Sequence, residues 1–282
     1  MAEPSARAGH ESPGATAGHE SPSAPAGRES PAPPAWVLLR GLTRDSRHWG
    51  AFRPLFERAV APARVIALDL PGNGARHRDA SPMRVEAMAE AARAELARHG
   101  AGAPVRLLAM SLGAMVATAW AAAHPHEVDA LVLINTSLRP FSPWWQRLRP
   151  SSYARLLRIA KAGADATSAE RAVLASTSRR PPPDALLADW SAWRRATPVA
   201  PANALRQLVA AARFRAPPHA PVGRVLLLAS ERDALVDPRC SQRLAAQWRC
   251  PILCHPDAGH DLTLDDAPWV AARAAAFAAA AA

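Results

Sequence analysis

Six short apolar runs, set apart by helical stretches and by one long insertion, constrain this 282-residue chain more tightly than any other feature. They are Trp36–Arg40, Val65–Leu68, Val105–Ala109, Ala130–Ile134, Arg224–Ala229 and Pro251–Cys254. None alternates apolar with polar residues, so none has a wet face, and strands of that kind belong in a parallel sheet covered on both sides. The intervening segments supply the cover. Ser46–Val60 carries Trp49, Phe52 and Phe56 on one helical face, and Met83–His99 carries Val85, Met88, Ala92 and Leu96. Leu112–Ala123, Pro238–Trp248 and Leu262–Ala279 read as further helices. Strand and helix in alternation require right-handed crossovers, hence an α/β fold on a mostly parallel, doubly wound sheet.

The alternation stops after Ser137. From Arg139 to Pro221 the pattern is helical, broken at Pro150, at Pro181 to Pro183 and at Pro217 and Pro218. This stretch holds four of the nine tryptophans, Trp144, Trp145, Trp190 and Trp193. Helices inserted after the strand ending near Ile134 are expected to form a cap over the sheet's carboxyl edge. The expected domains are therefore a core of residues 34–138 and 222–282, a helical cap over 139–221, and a tail over 1–33. The tail repeats a short unit from Ala8 to Pro13, Ala17 to Pro22 and Ala26 to Pro31. It has almost no apolar side chain to offset the entropy of ordering, so disorder is expected there. His10 and His19 read as solvated repeat positions, and recruitment of a partner is one role open to the repeat.

Composition excludes more than it assigns. The formal charge of +10 is carried almost wholly by arginine, Lys161 being the only lysine, and the arginines are scattered. No basic block interleaved with aromatics is present, so no nucleic-acid partner is expected. The most apolar stretch, Trp269–Ala282, is broken by Arg273 and reads as a final helix rather than a membrane span. No secretory segment is apparent at the N-terminus, and Cys240, Cys250 and Cys254 read as reduced thiols, so a cytoplasmic location is expected.

Chemistry enters at Leu107-Leu108-Ala109-Met110-Ser111-Leu112-Gly113. A strand stops at a serine, a helix starts at once, and the residues two before and two after are small. That is the form of a nucleophile elbow, where strained backbone at the serine leaves no room for larger neighbours. A serine nucleophile needs a base to take its proton and a carboxylate to orient that base. In such a sheet these groups sit on loops at the carboxyl ends of strands. Two later loops qualify: Ser230 to Asp237, with Asp233 and Asp237, and His255 to Asp261, with His260. The chain order is then Ser111, Asp233, His260.

From Trp36 onward the chain resembles the α/β-hydrolase family, on four motifs: Arg40-Gly41-Leu42, Asp69 to Gly74, the elbow, and the Asp233 and Gly259-His260 loops. The resemblance implies the α/β-hydrolase fold with a helical cap, and a serine esterase. Ser111 would be the nucleophile, His260 the general base and then acid, and Asp233 the group that sets the imidazole tautomer. The backbone N–H groups of Leu42 and Leu112 would form the oxyanion hole, each such donor worth about 3 kcal/mol in the transition state. Many relatives have His-Gly where this chain has Arg40-Gly41, which leaves the loop's orientation open. Asp237 is the rival carboxylate, or else a helix cap. His255 reads as structural, Asp69 as turn chemistry, and His48 either packs or lies near the hole.

Trp144 and Trp145 are the candidate substrate-binding residues, since neighbours on a helix cannot both face inward. No cofactor and no metal is expected. The expected activity is hydrolysis of a carboxylic ester, or thioester, of a small or acyl-chain substrate through an acyl-enzyme. Arg139, Arg147 and Arg149 suggest an acyl group bearing negative charge, and the strand and loop layout resembles the esterases that demethylate carrier-bound pimeloyl esters. An acyltransferase or C–C hydrolase would use the same triad. A ligand-binding, signalling version of the fold is the non-catalytic alternative.

Overall fold

The computed structural model describes Gly9, residues 33–154 and residues 165–280. Apart from Gly9, the N-terminal repeat with His10 and His19 lies outside the described residues, as does Lys161.

Six strands form one sheet, β1 (Trp36–Leu39), β2 (Val65–Leu68), β3 (Val105–Met110), β4 (Val128–Ile134), β5 (Val225–Ser230) and β6 (Ile252–His255). Their order is β2-β1-β3-β4-β5-β6, and each pairing is parallel. The alternation of side chains across the pleat, with both faces covered, explains why the central strand residues are apolar and why Arg106 and Asp129 stand only near the strand starts. Val37 and Leu39, Leu107 and Ala109, Leu131 and Leu133 point into one core; Trp36 and Leu38, Leu108 and Met110, Val132 and Ile134 point into the other.

The first core is closed by α2 (Val85–Arg98), α3 (Leu112–Ala123) and α8 (Arg239–Trp248), through residues such as Met88, Val116 and Leu244. The second is closed by α1 (Phe52–Ala59) and α10 (Ala267–Ala279), through Phe52, Phe56, Val270 and Ala274. Because β1 is flanked by β2 on one side and β3 on the other, the chain winds in opposite directions from it. That reversal opens a crevice beyond the carboxyl ends of β1 and β3.

Two expected helices are each divided. Residues 46–60 form a 3₁₀ turn, Ser46–Trp49, and then α1, with Gly50 between them at φ 46°. Asp45 caps the turn by accepting from Arg47 N, and the same carboxylate accepts from His48 Nδ1 at 3.1 Å. The C-terminal helix divides at Asp266 into α9 (Leu262–Asp265) and α10, where Asp266 accepts from Trp269 N.

Between β4 and β5 the chain runs through α4 (Trp144–Arg147), α5 (Ala166–Thr177), α6 (Asp184–Ala196) and α7 (Pro201–Arg213). α5 and α6 share a small core of their own, with Val173, Leu174 and Trp190 at its centre. α7 differs, since Ala210 and the following Phe214 join the larger core of the sheet.

Candidate active site

Ser111 stands between β3 and α3 at φ 56° and ψ −117°, a backbone conformation that costs a non-glycine residue roughly 1–3 kcal/mol. The sheet holds it there, the Ser111 N–H donating to the carbonyl of Ile134 at 3.0 Å. The small residues around it have a specific cause. A Cβ on Gly113 would lie 2.4 Å from the carbonyl oxygen of Leu39 and 2.6 Å from that of Arg40, so only glycine lets α3 approach β1. A Cβ on Gly41 would lie 3.1 Å from that of Ser111, so the loop after β1 passes directly beside the serine. The N–H groups of Leu112, in the first turn of α3, and of Leu42 donate to none of the described residues. The first N–H groups of a helix lack intrahelical partners and carry the positive end of its dipole, a setting suited to an anion.

On the far side of the sheet's midline, Asp233 and His260 meet. His260 Nδ1 and Asp233 Oδ2 are 2.7 Å apart, and both residues are buried. The other Asp233 oxygen accepts from Leu235 N at 2.7 Å and Val236 N at 2.9 Å, which aims the carboxylate. Asp237 is turned elsewhere: it accepts from Arg239 N at 3.0 Å at the start of α8 and pairs with the Arg239 guanidinium. Of the two carboxylates on this loop, Asp233 is the one that reaches the imidazole. Burial pulls the His260 pKa down, but the charge and hydrogen bond of Asp233, with Asp261 behind, outweigh it and raise the value above the ordinary one; Arg40 opposes them. No hydrogen bond joins Ser111 and His260 in this structure; such contacts commonly tighten only when substrate is bound.

Sequence reasoning passed over two residues that hold these loops. Asn135, just beyond β4 at φ 46°, donates to the carbonyls of His260 at 2.8 Å and Gly259 at 3.3 Å, and accepts from Ser230 N at 2.8 Å. It thereby ties the His260 loop to the end of β5. An asparagine closing an apolar strand was its only signal, since asparagine tolerates the left-handed region. Asp261 caps α9 by accepting from Leu264 N and forms a buried ion pair with Arg40, Nη2 to Oδ2 at 2.6 Å. Arg40 therefore points into the protein beneath the loop, not into it.

The remaining candidates fall outside this cluster. His48 is buried, accepts from Arg44 at 2.9 Å and lies edge-on to Trp190 and Trp193 of α6. Burial and the Arg44 charge hold its pKa low, so it serves as a neutral packing group. Arg44 continues to Glu170 at 2.8 Å, and Glu170 to Arg194 at 2.6 Å, joining the loop after β1 to α5 and α6. Trp144 and Trp145 are 63% and 50% exposed and contact each other edge to face, with centroids 5.7 Å apart. Arg147 donates to the carbonyls of Ser137 and Ala211, and Arg139 to that of Ala212. His255 pairs with Asp266 at 3.1 Å, and Asp69 accepts from Ser46 N and Ala75 N. Among the described residues no group of His, Cys, Asp or Glu is arranged to hold a metal ion, and no helix is long and apolar enough to cross a membrane.

The model of the alpha/beta hydrolase family matches residues 36–273, which contain the sheet, the elbow and both loops. The chain belongs to that family. Among curated relatives, the pimeloyl-[acyl-carrier protein] methyl ester esterase of Chromobacterium violaceum is 37% identical over 92 residues, 33% of this chain and 34% of that one. The same esterase of Neisseria meningitidis serogroup C is 39% identical over 95 residues, 32% of this chain and 35% of that one. The chain thus matches about a third of the length of these relatives. Over the whole fold it is similar to a thermophilic esterase from Thermogutta terrifontis, with TM-score 0.65, 21% identity, and coverage of 87% of this chain and 89% of that one.

Proposed function

We propose that this family member is a serine hydrolase that cleaves a carboxylic ester, or thioester, of a small or acyl-chain substrate through an acyl-enzyme on Ser111. The observation that carries the proposal is the buried pair of His260 Nδ1 and Asp233 Oδ2 at 2.7 Å, on the loops that follow β6 and β5. With Nδ1–H donated to the carboxylate, Nε2 bears the lone pair that takes the serine proton. Ser111 Oγ then attacks the carbonyl carbon, and the Leu42 and Leu112 N–H groups receive the developing oxyanion. His260 returns the proton to the leaving alcohol or thiol. A water activated by the same imidazole releases the acid and frees the serine.

The helices between β4 and β5 we assign as a cap, whose inner residues set the acyl group accepted. The shared core of α5 and α6 and the Arg44–Glu170–Arg194 connection centred on buried Glu170 support that assignment. Trp144 and Trp145 are proposed substrate contacts because their indoles are open rather than spent on packing. The partial matches to pimeloyl carrier-protein methyl esterases favour an ester of a medium-length acyl chain.

A series of p-nitrophenyl esters of increasing chain length, with wild type against Ser111→Ala, tests this reading. Turnover that peaks at one chain length and falls to background in the alanine variant is expected. Equal rates for the two proteins would refute it.

A further inference from the structure

Arg40 is among the most thoroughly buried charges in the structure, at 2% exposed. Its guanidinium meets Asp261 side by side, Nη2 to Oδ2 at 2.6 Å and Nη1 to Oδ1 at 3.2 Å. Nη1 also donates to Thr263 Oγ1 at 3.1 Å and lies 3.9 Å from the sulfur of Met110, while the carbon of the guanidinium stacks 5.0 Å from the Trp49 ring. Met110 precedes Ser111, Asp261 follows His260, and Arg40 itself precedes the Gly41-Leu42 turn. One rigid fork therefore touches the roots of three of the four loops that bear the proposed chemistry, the Asp233 loop being the exception.

We propose that Arg40 and Asp261 act as a positioning pair, fixing the height and angle of the His260 loop relative to Ser111 and to the Leu42 N–H. The inference rests on the triad reading above and adds to it two residues that touch no substrate. Stability alone is a poor reason for the pair, since a buried ion pair is often matched or bettered by apolar residues of similar volume. The planar guanidinium instead supplies direction, because two parallel hydrogen bonds define the plane in which the carboxylate lies. Asn135 separately holds the carbonyls of Gly259 and His260, so the loop is tied by side chains from the ends of both β1 and β4. The backbone N–H of Asp261 also donates to the Thr177 carbonyl at 2.8 Å, which links the same grip to α5.

The pair also places charge beside the imidazole. Asp233 from the loop after β5, Asp261 next to His260 on the loop after β6, and Arg40 from the end of β1 are the charged groups that act on His260, the first two raising its pKa and the third lowering it. Removing Arg40 and removing Asp261 should therefore move His260 in opposite directions, which a merely structural defect would not do.

The test measures wild type, Arg40→Met, Arg40→Lys, Asp261→Asn and the Arg40→Met/Asp261→Asn double variant in two ways. One is the pH profile of kcat and KM with a p-nitrophenyl ester, with Ser111→Ala as the blank. The other is the NMR titration of the His260 ring, assigned by its absence in His260→Gln. Expected are a kcat lower by ~10- to 100-fold in both single variants with KM within about threefold, as for a small misplacement of a reacting group. The His260 pKa should rise in Arg40→Met, fall in Asp261→Asn and return toward wild type in the double variant. Arg40→Lys should keep the titration but not the rate, because lysine restores charge without the fork. The double variant leaves no lone buried charge, so it keeps the test available where a single variant does not fold. An unmoved imidazole in every folded variant, or kcat within threefold of wild type, would overturn the proposal. The titration needs no turnover, so the pair's hold on His260 is decided even where the Ser111→Ala comparison goes against the triad.

Discussion

Replacing Asp233 by Asn while separately replacing Asp237 by Asn separates the two carboxylates that share one loop. In Asp233→Asn the amide oxygen can still accept from Leu235 N and Val236 N, now at 2.7 and 2.9 Å, so the loop keeps its shape. The amide nitrogen is then left facing His260 Nδ1, where the carboxylate oxygen sits at 2.7 Å. A donor there forces Nδ1 to accept and puts the ring proton on Nε2, the wrong tautomer for taking a proton from serine. Loss of the correct tautomer is worth roughly 10⁴-fold in kcat, about 5.5 kcal/mol of barrier at 1.36 kcal/mol per tenfold. Asp237→Asn keeps an oxygen that can accept from Arg239 N and loses only the charge of a pair with an exposed arginine, so little change in stability and less than about a threefold change in rate are expected. The assay is steady-state hydrolysis of the preferred p-nitrophenyl ester, with thermal unfolding of both variants as the control. A 10⁴-fold loss in Asp237→Asn beside a nearly unaffected Asp233→Asn would refute the assignment.

Gly113→Ala should cost ~1–3 kcal/mol and depress the rate as well, because its methyl group would press on the Leu39 and Arg40 carbonyls and push α3 from β1; urea unfolding and ester turnover check the two effects. Glu170→Ala strips the partner from the buried Arg44 and from Arg194, and a loss of ~3–5 kcal/mol is expected from the urea midpoint at unchanged slope. The acid limb of kcat/KM should have its midpoint above the ordinary imidazole value of about 6.5, since His260 is raised and acts as a base only when neutral. The sign for stability is the reverse: the contribution of the raised His260 is full below about pH 6.5 and is lost as pH climbs through the folded-state value, which chemical denaturation across pH measures.

How far the sequence foretold this arrangement depended on the range of the interactions. The unbroken apolar runs at Leu107, Leu131 and Leu227 announced a doubly covered parallel sheet, because burial on both faces removes every polar position from a strand. As candidates, Ser111 and His260 were legible from local rules, a serine between small residues directly after a strand and a histidine after a glycine on a later loop. The choice of Asp233 over Asp237 was not, since both are acids on one loop and only the backbone donors at Leu235 and Val236 orient the first toward the imidazole. The break at Gly50 was hidden within a helical apolar pattern that continues across it. The Arg40–Asp261 pair spans 221 residues of chain, and no local pattern reports a contact of that range. Trp144 and Trp145 were expected to divide between core and cleft, whereas both are open and lean on each other.

Covalent chemistry at Ser111 is read out by intact-mass and peptide mapping after exposure to a fluorophosphonate probe. One adduct per chain is expected, on the peptide containing Ser111, absent from Ser111→Ala and slowed by orders of magnitude in Asp233→Asn. No adduct on wild type, or an adduct that persists in Ser111→Ala, would contradict it.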